Sequence, residues 1–191
     1  GKGNFQISAE PGLYGVAVIK SGAGSAVSEA LPHFDVAFRY GVTDWFDLGI
    51  RSGWSLIELQ TKVLFTAPDA PRLAISAAPA LGAIIKNGDS ANSTLTTVNL
   101  AVPLLLGIKH FRANEFVFGL RVNNLIFVYG DGNGSLAVYQ CGVGGTIGYA
   151  LALGETFKLF PELALSVPVA QTGGSTGRTV AGLAGFGAVT W

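Results

Sequence analysis

Nine ionisable residues sit at positions where an alternating chain would turn them to one face: Asp35, Arg39, Asp47, Arg51, Glu58, Lys62, Glu115, Arg121 and Glu162. Successive side chains of a strand point to opposite faces, so residues an even number apart share one. The signs nearly balance, which suits a confined interior. A charge taken out of water alone is costly unless it is paired or hydrated. Two chemistries fit such a set. One is a salt-bridged plug that takes the place of a hydrophobic core, and the other is a polar path for a small solute. Catalysis needs a nucleophile with a base, or an acid and base within reach. There are only two histidines. His33 has Asp35 two residues on and Glu29 shortly before it, but no serine or second acid is placed beside it by spacing. His110 falls in a turn. The single cysteine, Cys141, cannot form an internal disulfide, and no zinc-ligand spacing exists, so neither metal nor cofactor is expected. Gly142–Gly145 and the glycines of QTGGSTG lack the strand-then-helix setting of a phosphate loop. They suit close strand packing and curvature.

The elements that must position these charges are strands. In Tyr40–Phe65 one face carries Phe46, Leu48, Ile50, Ile57, Leu59, Val63 and Phe65, while Asp47, Arg51, Glu58 and Lys62 occupy the other. The same alternation predicts ten strands: 12–20, 31–42, 45–54, 56–66, 72–86, 95–109, 115–128, 136–153, 157–170 and 179–191. The division at Ser55 is the narrowest. Short turns (Thr43-Asp44, APDAP, HFRAN, GET) alternate with small-residue loops (SGAGSAVSEA, NGDSANST, YGDGNGS, QTGGSTG). Pro79, Pro103, Pro161 and Pro168 lie inside strand patterns and predict bulges or local breaks, since proline has no N–H to donate.

Composition points the same way. Of 191 residues, 49% are apolar and only 13% charged, about half the usual charged share. Mean hydropathy is +0.46, yet no stretch suits a membrane helix. The longest uncharged run, 132–154, is broken by glycines, each costing about 1 kcal/mol in a helix. High hydropathy spread over alternate positions is the pattern of a membrane β-barrel. A net charge of zero and the absence of a basic stripe argue against nucleic acid. Gly1 in place of an initiating methionine is the start expected of a processed chain.

The whole pattern resembles the small bacterial outer-membrane β-barrel proteins of eight to ten strands. Its best local marker is the chain end, where Leu183, Gly185, Gly187, Val189 and Trp191 alternate toward a terminal aromatic. That end is similar to the signal such proteins present to the barrel-assembly machinery, with Leu183, Val189 and Trp191 carrying it here. Tyr40, Trp45, Phe65, Phe116 and Tyr149 near the turn end, and Trp54 near the loop end, suit aromatic girdles at the two interfaces. The resemblance implies an all-β, closed, antiparallel up-and-down transmembrane barrel, of ten strands or alternatively eight. Both termini would be periplasmic, residues 1–10 forming a periplasmic segment and 11–191 the barrel. It implies a bacterial outer-membrane location, with membrane lipids, the assembly machinery and other envelope proteins as partners. His33 with its acids loosely resembles the sites of outer-membrane proteases and lipid deacylases. The loops are too short to hold much machinery. The expectation is a non-enzymatic anchor or envelope-complex subunit with a plugged lumen. A narrow channel or carrier is the alternative, and a lipid-modifying or proteolytic enzyme a further one.

Overall fold

The computed structural model describes residues 2–20, 27–54, 56–70, 72–87, 93–111, 114–131, 134–154, 157–172 and 177–190, with side chains at most of these outside 13–31, 86–95, 129–136 and 177–190. Eleven strands follow in order: β1 (Phe5–Lys20), β2 (Val27–Gly41), β3 (Phe46–Gly53), β4 (Leu56–Leu64), β5 (Leu73–Ala77), β6 (Ala80–Asn87), β7 (Ser93–Lys109), β8 (Glu115–Asp131), β9 (Gly134–Ala152), β10 (Phe157–Thr172) and β11 (Gly177–Thr190). All pairings are antiparallel and join strands next to each other in the chain, except that β4 also pairs with β6, β5 with β7, and β1 with β11, Ile7 facing Thr190. The pairings therefore form a cycle, and each pass has a ladder on both sides.

β5 and β6 are one pass interrupted at Ala78-Pro79. On β4, Val63 faces Ala77 and Gln60 faces Ala80; on β7, Leu104 faces Ala77 and Ala101 faces Ala80. The register is unchanged across the gap on both sides, so the chain makes the ten expected passes. Two prolines explain the gap. Thr61 N donates to Pro79 O (2.8 Å) and Ala78 N to Pro103 O (3.0 Å), but neither proline has an N–H to return. The break expected at Pro103 thus falls on the neighbouring pass, and β7 itself runs on with Pro103 facing Arg121. At Pro168 the register with β9 shifts by one, the predicted bulge. At Pro161 the β9 ladder skips from Leu159 to Glu162 and resumes in the same register.

The division between β3 and β4 is real, since Ser52 faces Ile57; Ser55 itself lies outside the described residues. Several expected boundaries are corrected. β1 begins at Phe5, not Gly12. Phe5 and Ile7 are exposed while Ser8 is buried, a strand alternation hidden by its short polar members. β2 starts at Val27, and the YGDGNGS loop is mostly ladder, with Gly130 facing Ser135 and Asp131 facing Gly134.

Burial is inverted relative to a water-soluble protein. Among the described residues the buried apolar ones are all alanines (Ala37, Ala77, Ala101, Ala150 and Ala164), joined by polar residues that include Asp35, Glu58, Ser76, Thr97, Asn123 and Gln140. The large apolar side chains lie outside: Leu120 is 72% exposed, Leu165 59% and Leu104 53%. The interior that positions the site is therefore narrow, small-residue-lined and polar.

Candidate functional site

Arg51 organises the interior. Glu10 and Asp35 face one another across β1 and β2, an opposition of like charges that is unfavourable by itself. Arg51, on β3 opposite Ala37, resolves it. Its Nη2 lies 2.8 Å from Asp35 Oδ2, its Nε 3.1 Å from Glu10 Oε2, and its Nη1 3.7 Å from Glu58 Oε1. Glu58 is the residue opposite Arg51 on β4. One guanidinium thus ties carboxylates from three other passes, with close charge-assisted contacts to Asp35 and Glu10 and a longer ion pair to Glu58. Asp35, only 2% exposed, also meets His33 Nδ1 at 3.1 Å. Ser8 Oγ donates to Glu10 (2.8 Å), Gln60 Nε2 to Glu58 (2.8 Å), and Arg39 Nη2 to Gln60 (3.0 Å).

Glycines make this layer possible by leaving room on the adjacent pass. A Cβ at Gly53 would strike the Asp35 carboxylate, one at Gly12 the His33 ring, and one at Gly107 the Glu115 carboxylate. A Cβ at Gly49 would come within 2.7 Å of Phe38 O and 3.3 Å of Arg39 Cβ, so Gly49 lets Arg39 cross β3 toward Gln60. Inward side chains therefore lie sideways over their neighbours.

Beyond Arg51 the pairing stops. Arg39, Asp47, Lys62, Glu115, Arg121 and Glu162 have no ion pair within 4.0 Å among the described residues. Arg121 Nε donates instead to Asn123 Oδ1 (3.1 Å), Asn123 Nδ2 to Ser166 Oγ (3.0 Å), and Thr146 Oγ1 to Glu162 (2.8 Å). A cavity of about 430 Å³ runs between these groups and an alanine wall that includes Ala78, Ala101 and Ala164. Where a salt-bridged, largely plugged lumen is expected, the interior holds a paired layer beside a chamber. The chamber draws on both halves of the chain, and Gly144 does not open it, because Leu165 O and Ser166 occupy the space beside it.

Of the nine predicted charges, all but Asp35 and Asp47 line the cavity; Asp35 is buried behind Arg51. The acid–base pairs spaced four apart do not meet, since Arg51 takes its partners from other passes. Sequence reasoning missed Glu10 and Lys158, while Gln60 shares the inward face of Glu58 and Lys62 that the alternation predicts. Glu10 was discoverable from the alternation of Gln6, Ser8 and Glu10 with Phe5, Ile7 and Ala9. Tyr40, Trp45, Trp54, Phe65 and Phe116 are exposed, and Phe116 meets Tyr149 in a tilted ring contact with centroids 4.5 Å apart. His110 is exposed in its turn. Cys141 is a half-buried free thiol. Register sets Leu183 opposite Ala164 and Val189 opposite Lys158. The side chains of Leu183, Val189 and Glu29, and all of Trp191, lie outside what is described.

A cyclic antiparallel meander with apolar residues outside and charges inside defines the small bacterial outer-membrane β-barrel fold. Among solved structures the chain is similar to the outer membrane protease OmpT of Escherichia coli, at 7% identity and TM-score 0.60, over 98% of this chain and 96% of that one. It is also similar to Neisserial surface protein A (NspA), at 10% identity and TM-score 0.52, over 97% and 96%. The translocator domain of the autotransporter NalP from Neisseria meningitidis follows at 12% identity and TM-score 0.50, over 100% and 89%. At such identities the likeness is one of fold. No protein-family model and no curated protein matches the sequence.

Proposed function

We propose that the chain closes into a barrel spanning the bacterial outer membrane, with both termini and the short turns on the periplasmic side. It serves there as a non-enzymatic anchor or subunit of an envelope assembly. The inverted burial carries this reading. Leucine, isoleucine and phenylalanine cover the outside of nearly every described pass, a surface that water does not stabilise at this extent. Passes such as β7, with 17 residues, exceed the roughly 9–11 needed to cross a bilayer at a tilt. The anchoring role is supported by Arg51 locking four neighbouring passes, and by loop-end connections of six residues or fewer (21–26 is the longest).

The cavity and its charges without ion pairs favour a second reading, a narrow channel or carrier for a small solute. Planar-bilayer recording separates the two. The anchor reading expects no unitary conductance, together with a stoichiometric partner on purification in mild detergent. Reproducible unitary currents that disappear in Ala78→Trp would replace it with the channel. For catalysis, the His33–Asp35 contact is drawn into the Arg51 cluster, which supports a structural use. Lipid or peptide hydrolysis lost in His33→Ala would overturn the non-enzymatic part.

A further inference from the structure

We infer that the turn-end half of the cavity is a binding site for a small organic or inorganic anion, held between Arg39 and Lys62. Three observations converge there. Arg39 and Lys62 both line the chamber. Arg39 uses Nη2 on Gln60 (3.0 Å), while its Nε is buried without a hydrogen-bond partner among the described residues. Lys62 stands two residues beyond Gln60 on the same face of β4 and makes no ion pair within 4.0 Å; Asp47, the acid in register with it, lies beyond that distance. Two inward-facing cations with an unfilled N–H donor between strands are an unfavourable arrangement unless an acceptor with negative charge completes it. The nearby carboxylates do not serve. Glu10, Asp35 and Glu58 are committed to Arg51, and Glu115 is laid over Gly107. A volume of about 430 Å³ falls within the usual range of small-molecule sites. A carboxylate or phosphate oxygen accepting from Arg39 Nε, with a second near Lys62, satisfies both groups. This site does not depend on whether the lumen conducts, so bilayer recording and the test below fail separately.

The test uses the full chain folded in detergent micelles, with inorganic phosphate and succinate as probes and chloride at matched ionic strength as the control. The arginine Nε–H resonance of Arg39 is followed by NMR during titration. A saturable shift with either probe and none with chloride is expected. Lys62→Met weakens binding by about tenfold or more, as loss of a charge-assisted hydrogen bond does. Asn123→Ala, which alters the opposite network, leaves the affinity unchanged. No saturable shift with either probe, or equal affinity in Lys62→Met shown to be folded, overturns the site. Equal weakening in Asn123→Ala does so too, since the effect would then belong to the lumen as a whole.

Discussion

Arg51 is the residue on which the paired layer depends. Removing it takes from Glu10, Asp35 and Glu58 the one guanidinium they share. Breaking a buried ion pair from one side costs about 3–5 kcal/mol, so Arg51→Leu is expected to lower unfolding stability by that order. Denaturant titration of the protein in lipid vesicles, followed by tryptophan fluorescence, measures it. Gly53 predicts a second loss through geometry alone. Valine there collides with the Asp35 carboxylate, and overpacking of this kind costs about 1–3 kcal/mol. If Gly53→Val matches wild type in the same titration, the sideways lie of Asp35 is wrong. At this scale the sequence shows which residues share a face, because that depends only on parity. It hides which acid meets which base, because pairing depends on register between passes. Asp35 and Arg39 look like partners four apart, yet Asp35 is held by Arg51 from the next strand.

Among the elements, β5 and β6 show how far a local rule reaches. Proline chemistry at Pro79 and Pro103 predicts a fault, but only the register reveals that both act at one gap between Ala77 and Ala80. Thr61 N already donates to Pro79 O, and in an antiparallel hydrogen-bonded pair the opposite bond belongs to the same two residues. Pro79→Ala supplies the missing donor. It should add about 0.5–1.5 kcal/mol and slow amide exchange in Ser76–Leu81. Unchanged exchange there would mean that the gap has a different cause. The loop-end boundaries were less legible than the strands. Gly, Ser and Asn read as loop in YGDGNGS, while the long ladder between β8 and β9 carries pairing almost to the tip. Tertiary pairing overrides the local turn preference.

For the whole molecule, the decisive quantity is which solvent meets the outside. Leu120 is highly exposed and faces Leu104 on one side and Gly145 on the other. On a lipid-facing strand near mid-bilayer, Leu120→Arg costs about 2–4 kcal/mol. On a water-facing surface the same change stays within about 0.5 kcal/mol. Comparing the two proteins' unfolding in vesicles distinguishes these settings directly. The overall architecture was readable because ten repeats of one alternation, poor in charge, have few other solutions. The small lumen-facing alanines and glycines left room for a cavity, but its shape was not legible, because it follows from side chains lying over glycines such as Gly53 and Gly107, which have no signature apart from position.

The ladder between β1 and β11 has a consequence for how the molecule comes into being. Every other pairing joins segments close in the chain, and this one joins its extremes, Ile7 to Thr190. Contacts of such sequence separation are slow to form, since loop closure precedes any gain from them. The last strand must therefore be synthesised before the first is secured on both sides. A circular permutant that joins the ends by a short linker and opens between β6 and β7 would make that ladder local. It should keep the same registers while shifting the slow step of assembly to a different pair of strands.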